Sequence, residues 1–249
     1  MTACADAWAH DGEILASPMG LIPTLGAKLA RLTAAPDLLL TDGEAYLLAA
    51  VRADGAAPGP VSPGPGPAIE GWLPYGRVFD LLASGRRHVM MGASQIDRYG
   101  NQNFAAIGAD YAKPKVQLLG FRGAPGNTIN DTTSYWVPNH SKNVFVPKVD
   151  VVCGVGYDRA AALGDSALGY ELRRVMTNLC VLDFESPDHR MRLRSLHPGV
   201  TLDEVVAATG FELVIPDSIA ETRLPTDDEL RLVDDVIDPD GARYSEVKD

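Results

Sequence analysis

Apolar residues along this chain fall in short runs punctuated by glycine, proline, asparagine and aspartate, a pattern that predicts strands alternating with helices. Leu25, Leu29 and Leu32 recur at helical spacing ahead of Pro36, and the run Asp37 to Leu40 that follows reads as a short buried strand ending in turn residues. The spacing predicts a helix over Tyr75 to Ala83, stopped near Gly85, that leads into a strand over His88 to Met91. Further strands are expected at Val116 to Leu119, Val144 to Val146 and Val149 to Cys153.

From Asn178 the pattern changes. NLCVLDFE, the polar turn SPDH and the period-two run RMRLRSL predict an antiparallel hairpin in the C-terminal part. An amphipathic helix over Leu202 to Thr209 and a strand over FELVIP follow. The acidic segment TDDELRLVDDVI reads as a helix capped by Thr226, with Leu230, Val233 and Ile237 on one face. The tail after Pro239 has little to bury. The tract Gly55 to Pro67 holds too much proline for a helix or a central strand and is expected to run as an extended surface loop. These elements sum to one α/β domain over residues 1–249, an open, mixed, mostly parallel sheet flanked by helices.

Composition narrows the class. The 249 residues are 46% hydrophobic and only 7% aromatic, which suits an aliphatic, sheet-centred core. A net charge of −11 with no Lys/Arg stripe argues against a nucleic-acid phosphate binder. The opening residues carry acids instead of a basic segment followed by an apolar one, and no apolar stretch approaches the length of a membrane helix, so a cytoplasmic protein with no membrane partner is expected. Cys4, Cys153 and Cys180 are odd in number and widely spaced, so they read as small buried hydrophobes. None of the five histidines has metal-ligand spacing, and no metal or bound cofactor is expected.

Two loops carry the candidate chemistry. The string GASQIDRYGNQN, Gly92 to Asn103, follows a buried strand, where open α/β sheets place ligand-contacting groups. Asp97 and Arg98 form a charged pair there that could be partly desolvated and still meet a ligand. The competing reading is an aspartate bonding its own turn backbone. Gln95 and Asn103 add amides that could orient a carbonyl or simply satisfy a neighbouring loop. The second loop is GFRGAPGN, where Gly120, Gly123 and Gly126 permit close backbone approach to an oxyanion, and Asn127 ends the string. Arg122 could grip a substrate carboxylate in bidentate fashion, or lie solvated. Asp42 and Glu44 follow the Asp37 to Leu40 strand and offer a carboxylate to the same kind of surface. The triplet Gly164 to Ser166 resembles a serine-hydrolase motif but lacks the matching Asp-x-x-His near the C-terminus.

The ordered set ARLTAAPDLLL, GASQIDRYGNQN, GFRGAPGN, NVFVPKVDVV, TNLCVLDFE and LHPGVTLDEVVAATGFEL resembles the β subunit of class I coenzyme A transferases, especially the glutaconate type, over nearly the whole chain. The resemblance implies an open α/β subunit that pairs with an α subunit, as a heterotetramer of two α and two β subunits, around an acyl-CoA site. In that family a β-subunit glutamate attacks the thioester. Here TDGEAY leaves open whether Asp42 or Glu44 is in register, without the family's Glu-x-Gly context, and GFRG replaces its Gly-x-Gly-Gly turn with Arg122 in place of a glycine. The sequence looks closest to the β subunit of a subgroup that opens rings hydrolytically in steroid catabolism, on a cyclic keto acyl-CoA. That resemblance implies water addition and C–C cleavage, with the base mainly from the α subunit, coenzyme A entering only with the substrate, and this chain supplying donors and carboxylate recognition. A true transferase and a non-catalytic supporting subunit stand as alternatives.

Overall fold

The computed structural model describes residues 1–41, 46–52, 67–74, 76–167 and 169–246. In chain order it opens with helix α1 (Thr2–Trp8), strand β1 (Leu15–Pro18), helix α2 (Leu21–Leu32) and strands β2 (Leu39–Thr41), β3 (Tyr46–Arg52) and β4 (Pro67–Trp72), then α3 (Arg77–Leu82) and β5 (Arg87–Met91). Short pairs follow, β6 (Gln95–Ile96) with β7 (Gln102–Asn103) and β8 (Ala106–Ile107) with β9 (Val116–Gln117). After them come α4 (Ala124–Asn130), β10 (Thr132–Val137) and α5 (Tyr157–Ala160). The chain continues with β11 (Glu171–Thr177), β12 (Cys180–Asp183), β13 (Arg192–Leu196), α6 (Leu202–Ala208), β14 (Ala220–Glu221) and α7 (Asp227–Arg231). The residues gather into two compact units, Met1–Met90 with Arg223–Asp249, and Met91–Thr222.

The first unit holds strands in the order β5-β1-β2-β3-β4, parallel from β5 through β2 and antiparallel from β2 to β4. Leu25 and Leu29 of α2 are fully buried, as their spacing predicts. The acidic helix begins at a Thr226–Glu229 capping box, worth about 1 kcal/mol, but passes at Leu232 into a π-helical turn. Val233 and Ile237 stay buried while Leu230, expected on the same face, is 44% exposed. A wider turn moves that face round, and Glu229 turns inward instead to meet Arg223 at 2.8 Å. The tail after Pro239 has no buried residue among those described, as expected. It is fastened by polar groups, with Arg243 paired to Asp234 and Asp238, and Glu246 accepting from the Ile22 amide at 3.0 Å.

The second unit carries the order β14-β13-β12-β11-β10, with β12 and β13 forming the predicted antiparallel hairpin. Its core contains Tyr135, Phe145, Met176 and Leu182. The expected strands at Val144 to Val146 and Val149 to Cys153 are not strands. Pro147 interrupts them, and they lie as single bridges along the β6–β7 pair, where Ile96 exchanges backbone bonds with Val144 and Val146, and Gln102 with Cys153 and Gly154. FELVIP likewise makes only a bridge, Val214 to Arg192, and Val116 to Leu119 shortens to β9. No helix among the described residues is long and apolar enough to cross a membrane.

Candidate functional site

The chain leaves β5 at Met91 and folds Gln95 to Asn103 into a small hairpin in which Gln95 stands opposite Asn103. Both are buried, and their amides are spent on the chain itself. Gln95 Oε1 accepts from Asn103 Nδ2 at 2.8 Å and from the Asp150 amide at 3.0 Å, while Gln95 Nε2 donates to Asp150 Oδ2. Asn103 Nδ2 also donates to the Ala106 carbonyl, and its Oδ1 accepts from the Ala105 and Ala106 amides. Such a closed network fixes the loop that follows and leaves little for a ligand.

Asp97 behaves similarly. Its Oδ1 accepts from the amides of Tyr99 and Asn101, and both of its oxygens accept from Asn101 Nδ2. Burial raises its pKa above the ordinary carboxylate value, and these hydrogen bonds pull against that rise. Arg98 does not pair with it; the Arg98 carbonyl instead accepts from Met191. The centre of this turn is Asn101, which sequence reasoning passed over. Asn101 Nδ2 reaches Asp158 at 2.8 Å as well, and its Oδ1 accepts from the Gly156 amide at 2.8 Å. A β-carbon on Gly156 would lie 2.5 Å from the Asn101 nitrogen, so the approach requires glycine. The Gly-Asn dipeptide was the available signal.

The second loop is built differently. Gly120 has φ 86°, and Arg122 has φ 46°, a left-handed conformation that costs a non-glycine residue about 1 kcal/mol or more. Phe121 lies edge-on to Tyr111 at 5.8 Å, which anchors the loop beside Arg122. Helix α4 starts at Ala124, so the expected loop ends at Gly123, and Gly126 is helical. Asn127 is a buried helix residue whose Nδ2 lies 3.3 Å from Met91 Sδ. Arg122 is exposed and engages no carboxylate or other hydrogen-bond acceptor among the described residues. Asp42 and Glu44 lie outside the described residues.

The described part of this chain therefore offers an exposed, unpaired guanidinium between Gly120 and Gly123. Burial raises the Cys153 thiol pKa and pushes Cys180 up to about 12, so neither is a thiolate nucleophile at neutral pH. Among the described residues no group of three or more His, Cys, Asp or Glu could hold a metal ion.

Residues 78–208 match the coenzyme A transferase family. The chain is 54% identical to the cholesterol ring-cleaving hydrolase IpdB subunit of Mycobacterium tuberculosis over 246 residues, 99% of this chain and 96% of that subunit. It superposes on a chain of Rhodococcus jostii IpdAB with TM-score 0.90 at 51% identity, covering 100% of this chain and 96% of that one. Glutaconate coenzyme A-transferase from Acidaminococcus fermentans shares the fold, with TM-score 0.78 at 23% identity over 100% of this chain and 95% of that one. The ordered motifs, the fold and these likenesses along its length agree that the chain is a member of the coenzyme A transferase family.

Proposed function

We propose that this chain is the β subunit of a heteromeric hydrolase that opens the last carbon ring of a cyclic keto acyl-CoA derived from cholesterol. The observation that carries this is 54% identity to a cholesterol ring-cleaving hydrolase subunit along 99% of the chain. The partner is a transferase-like α subunit, and the assembly has two copies of each.

In this reaction the oxygen of water adds to a ring carbonyl, and the tetrahedral oxyanion collapses as the adjacent C–C bond breaks. The oxyanion carbon becomes a carboxylate, and the released carbon takes a proton. An α-subunit carboxylate activates the water. The β chain contributes recognition: Arg122 pairs with the carboxylate of the substrate, and backbone donors of Gly120 and Gly123 face developing negative charge. Gln95, Asp97, Asn103 and Asn127 hold these loops in position. Nothing beyond coenzyme A in the substrate is required as a cofactor. A cytoplasmic setting suits the three free, buried thiols, which reducing compartments keep unpaired.

Turnover of the acyl-CoA by the assembled enzyme in oxygen-18 water tests the reaction. The expected product carries label in a new carboxylate. A product labelled only in an acid released from coenzyme A would contradict ring opening.

A further inference from the structure

In the second unit, the hairpin turn after Ile96 and the segments near Pro147 and Asp158 enclose an open cavity of about 220 Å³. That is smaller than the roughly 300–1,000 Å³ of pockets that take a whole drug-sized ligand, so it suits a single charged group. Three cations line it, Arg98, Lys148 and Arg159, with Asp97, Asn101 and Asp158 on its wall.

The concentration is unexpected for this chain. Its acids outnumber its bases by eleven, and most arginines among the described side chains find a carboxylate, from Arg31 with Glu70 to Arg243 with Asp234. Among the described side chains, the arginines that engage neither a carboxylate nor a hydroxyl are Arg98, Arg122 and Arg159, and two of these three share one cavity. The carboxylates beside them are held elsewhere. Asn101 Nδ2 donates to Asp97 Oδ2 at 3.0 Å and to Asp158 Oδ1 at 2.8 Å, and the Tyr99 and Asn101 amides donate to Asp97 Oδ1. Both acids are thus held by neutral donors and form no ion pair with the adjacent Arg98 or Arg159, and three cations against two acids leave the lining net positive.

We propose that this cavity is an anion site that takes a phosphoryl group, gripped by Arg98 and Arg159 with Lys148 as a third cation. A carboxylate has two oxygens and matches one guanidinium fork, whereas a phosphoryl group presents three and accommodates two forks and an ammonium. The group is supplied either by the phosphates of coenzyme A, which rests on the acyl-CoA reading above, or by free phosphate.

Calorimetric titration of the full-length chain, in the assembly in which it purifies, with inorganic phosphate and separately with coenzyme A separates these sources. Saturable phosphate binding that R98A/R159A weakens roughly tenfold or more is expected, because two charge-assisted contacts are lost. If coenzyme A weakens in parallel and phosphate-free pantetheine does not, the occupant is a phosphate of coenzyme A. If only phosphate weakens, the site stands and its occupant is free phosphate. No saturable phosphate binding to the parent protein overturns the site, as does unchanged affinity in a variant that unfolds at the parent temperature. Should the alanine pair fail to fold, R98K/R159K retains charge without the forks. Weakened phosphate binding there supports the site, and unchanged binding overturns it. None of these readouts uses turnover, so failure of the ring-opening reaction leaves them intact.

Discussion

Asn103 Nδ2 donates to Gln95 Oε1 at 2.8 Å across the β6–β7 pair, tying the first and last residues of the small hairpin to each other. Asn103 also holds the Ala105 and Ala106 backbone, so Asn103→Ala strands several buried polar groups at once. The expected cost is about 2–4 kcal/mol of stability. Chemical denaturation measures it. Activity should fall only as far as the folded fraction falls; full stability with lost activity would show direct ligand contact.

Arg122 should show the opposite behaviour. Arg122→Gly relieves the φ of 46° and is expected to leave stability unchanged or about 1 kcal/mol higher. Turnover at low substrate should drop by about 10- to 100-fold, the worth of a charge-assisted hydrogen bond to a carboxylate. Arg122→Lys should recover only part of it, since an ammonium lacks the planar fork. Wild-type kcat/KM in the glycine variant would remove Arg122 from substrate recognition.

The hydrolytic reading predicts that no acyl or coenzyme A adduct accumulates on Asp42 or Glu44. Trapping with hydroxylamine or borohydride during turnover, followed by mass spectrometry of the intact chain, checks this. An adduct on either carboxylate would restore the covalent transferase mechanism.

Much of the framework was legible because it is local. The Leu25 and Leu29 stripe, the β12–β13 alternation and the Thr226 cap each depend on residues within a few positions. Strand β10 hid because Thr133 and Ser134 are fully buried polar residues, so its run lacks an apolar signature. Leu230 failed because a π-helical turn changes the period on which the face was drawn. At the candidate site, residue types drew attention to two loops but not to the partners their side chains take. Whether the amides of Gln95 and Asn101 meet a ligand or the chain depends on Asp150, Gly156 and Asp158, some fifty residues away. Asn101 became the hub and Asn103 a strut. Only the unpaired state of Arg122 kept that residue available.

His140 provides a test by pH. It stacks on Phe145 at 3.8 Å between ring centroids, and its nitrogens meet Thr177 and Thr209 at 3.2 and 2.9 Å. Burial lowers its pKa from 6.5 to about 4, so between those values the unfolded chain binds a proton that the folded chain refuses. Stability from this group is therefore complete above pH 6.5 and lost as pH falls toward 4, by up to about 3 kcal/mol. His140→Phe keeps the stacking and removes the titration. Thr177 still donates to the Cys180 carbonyl and Thr209 to the Val205 carbonyl, so the variant should fold, at a cost of about 1–2 kcal/mol at pH 7. Denaturation from pH 7 to 4 should then show a shallower loss than in the parent. An equally steep loss would place the acid sensitivity elsewhere.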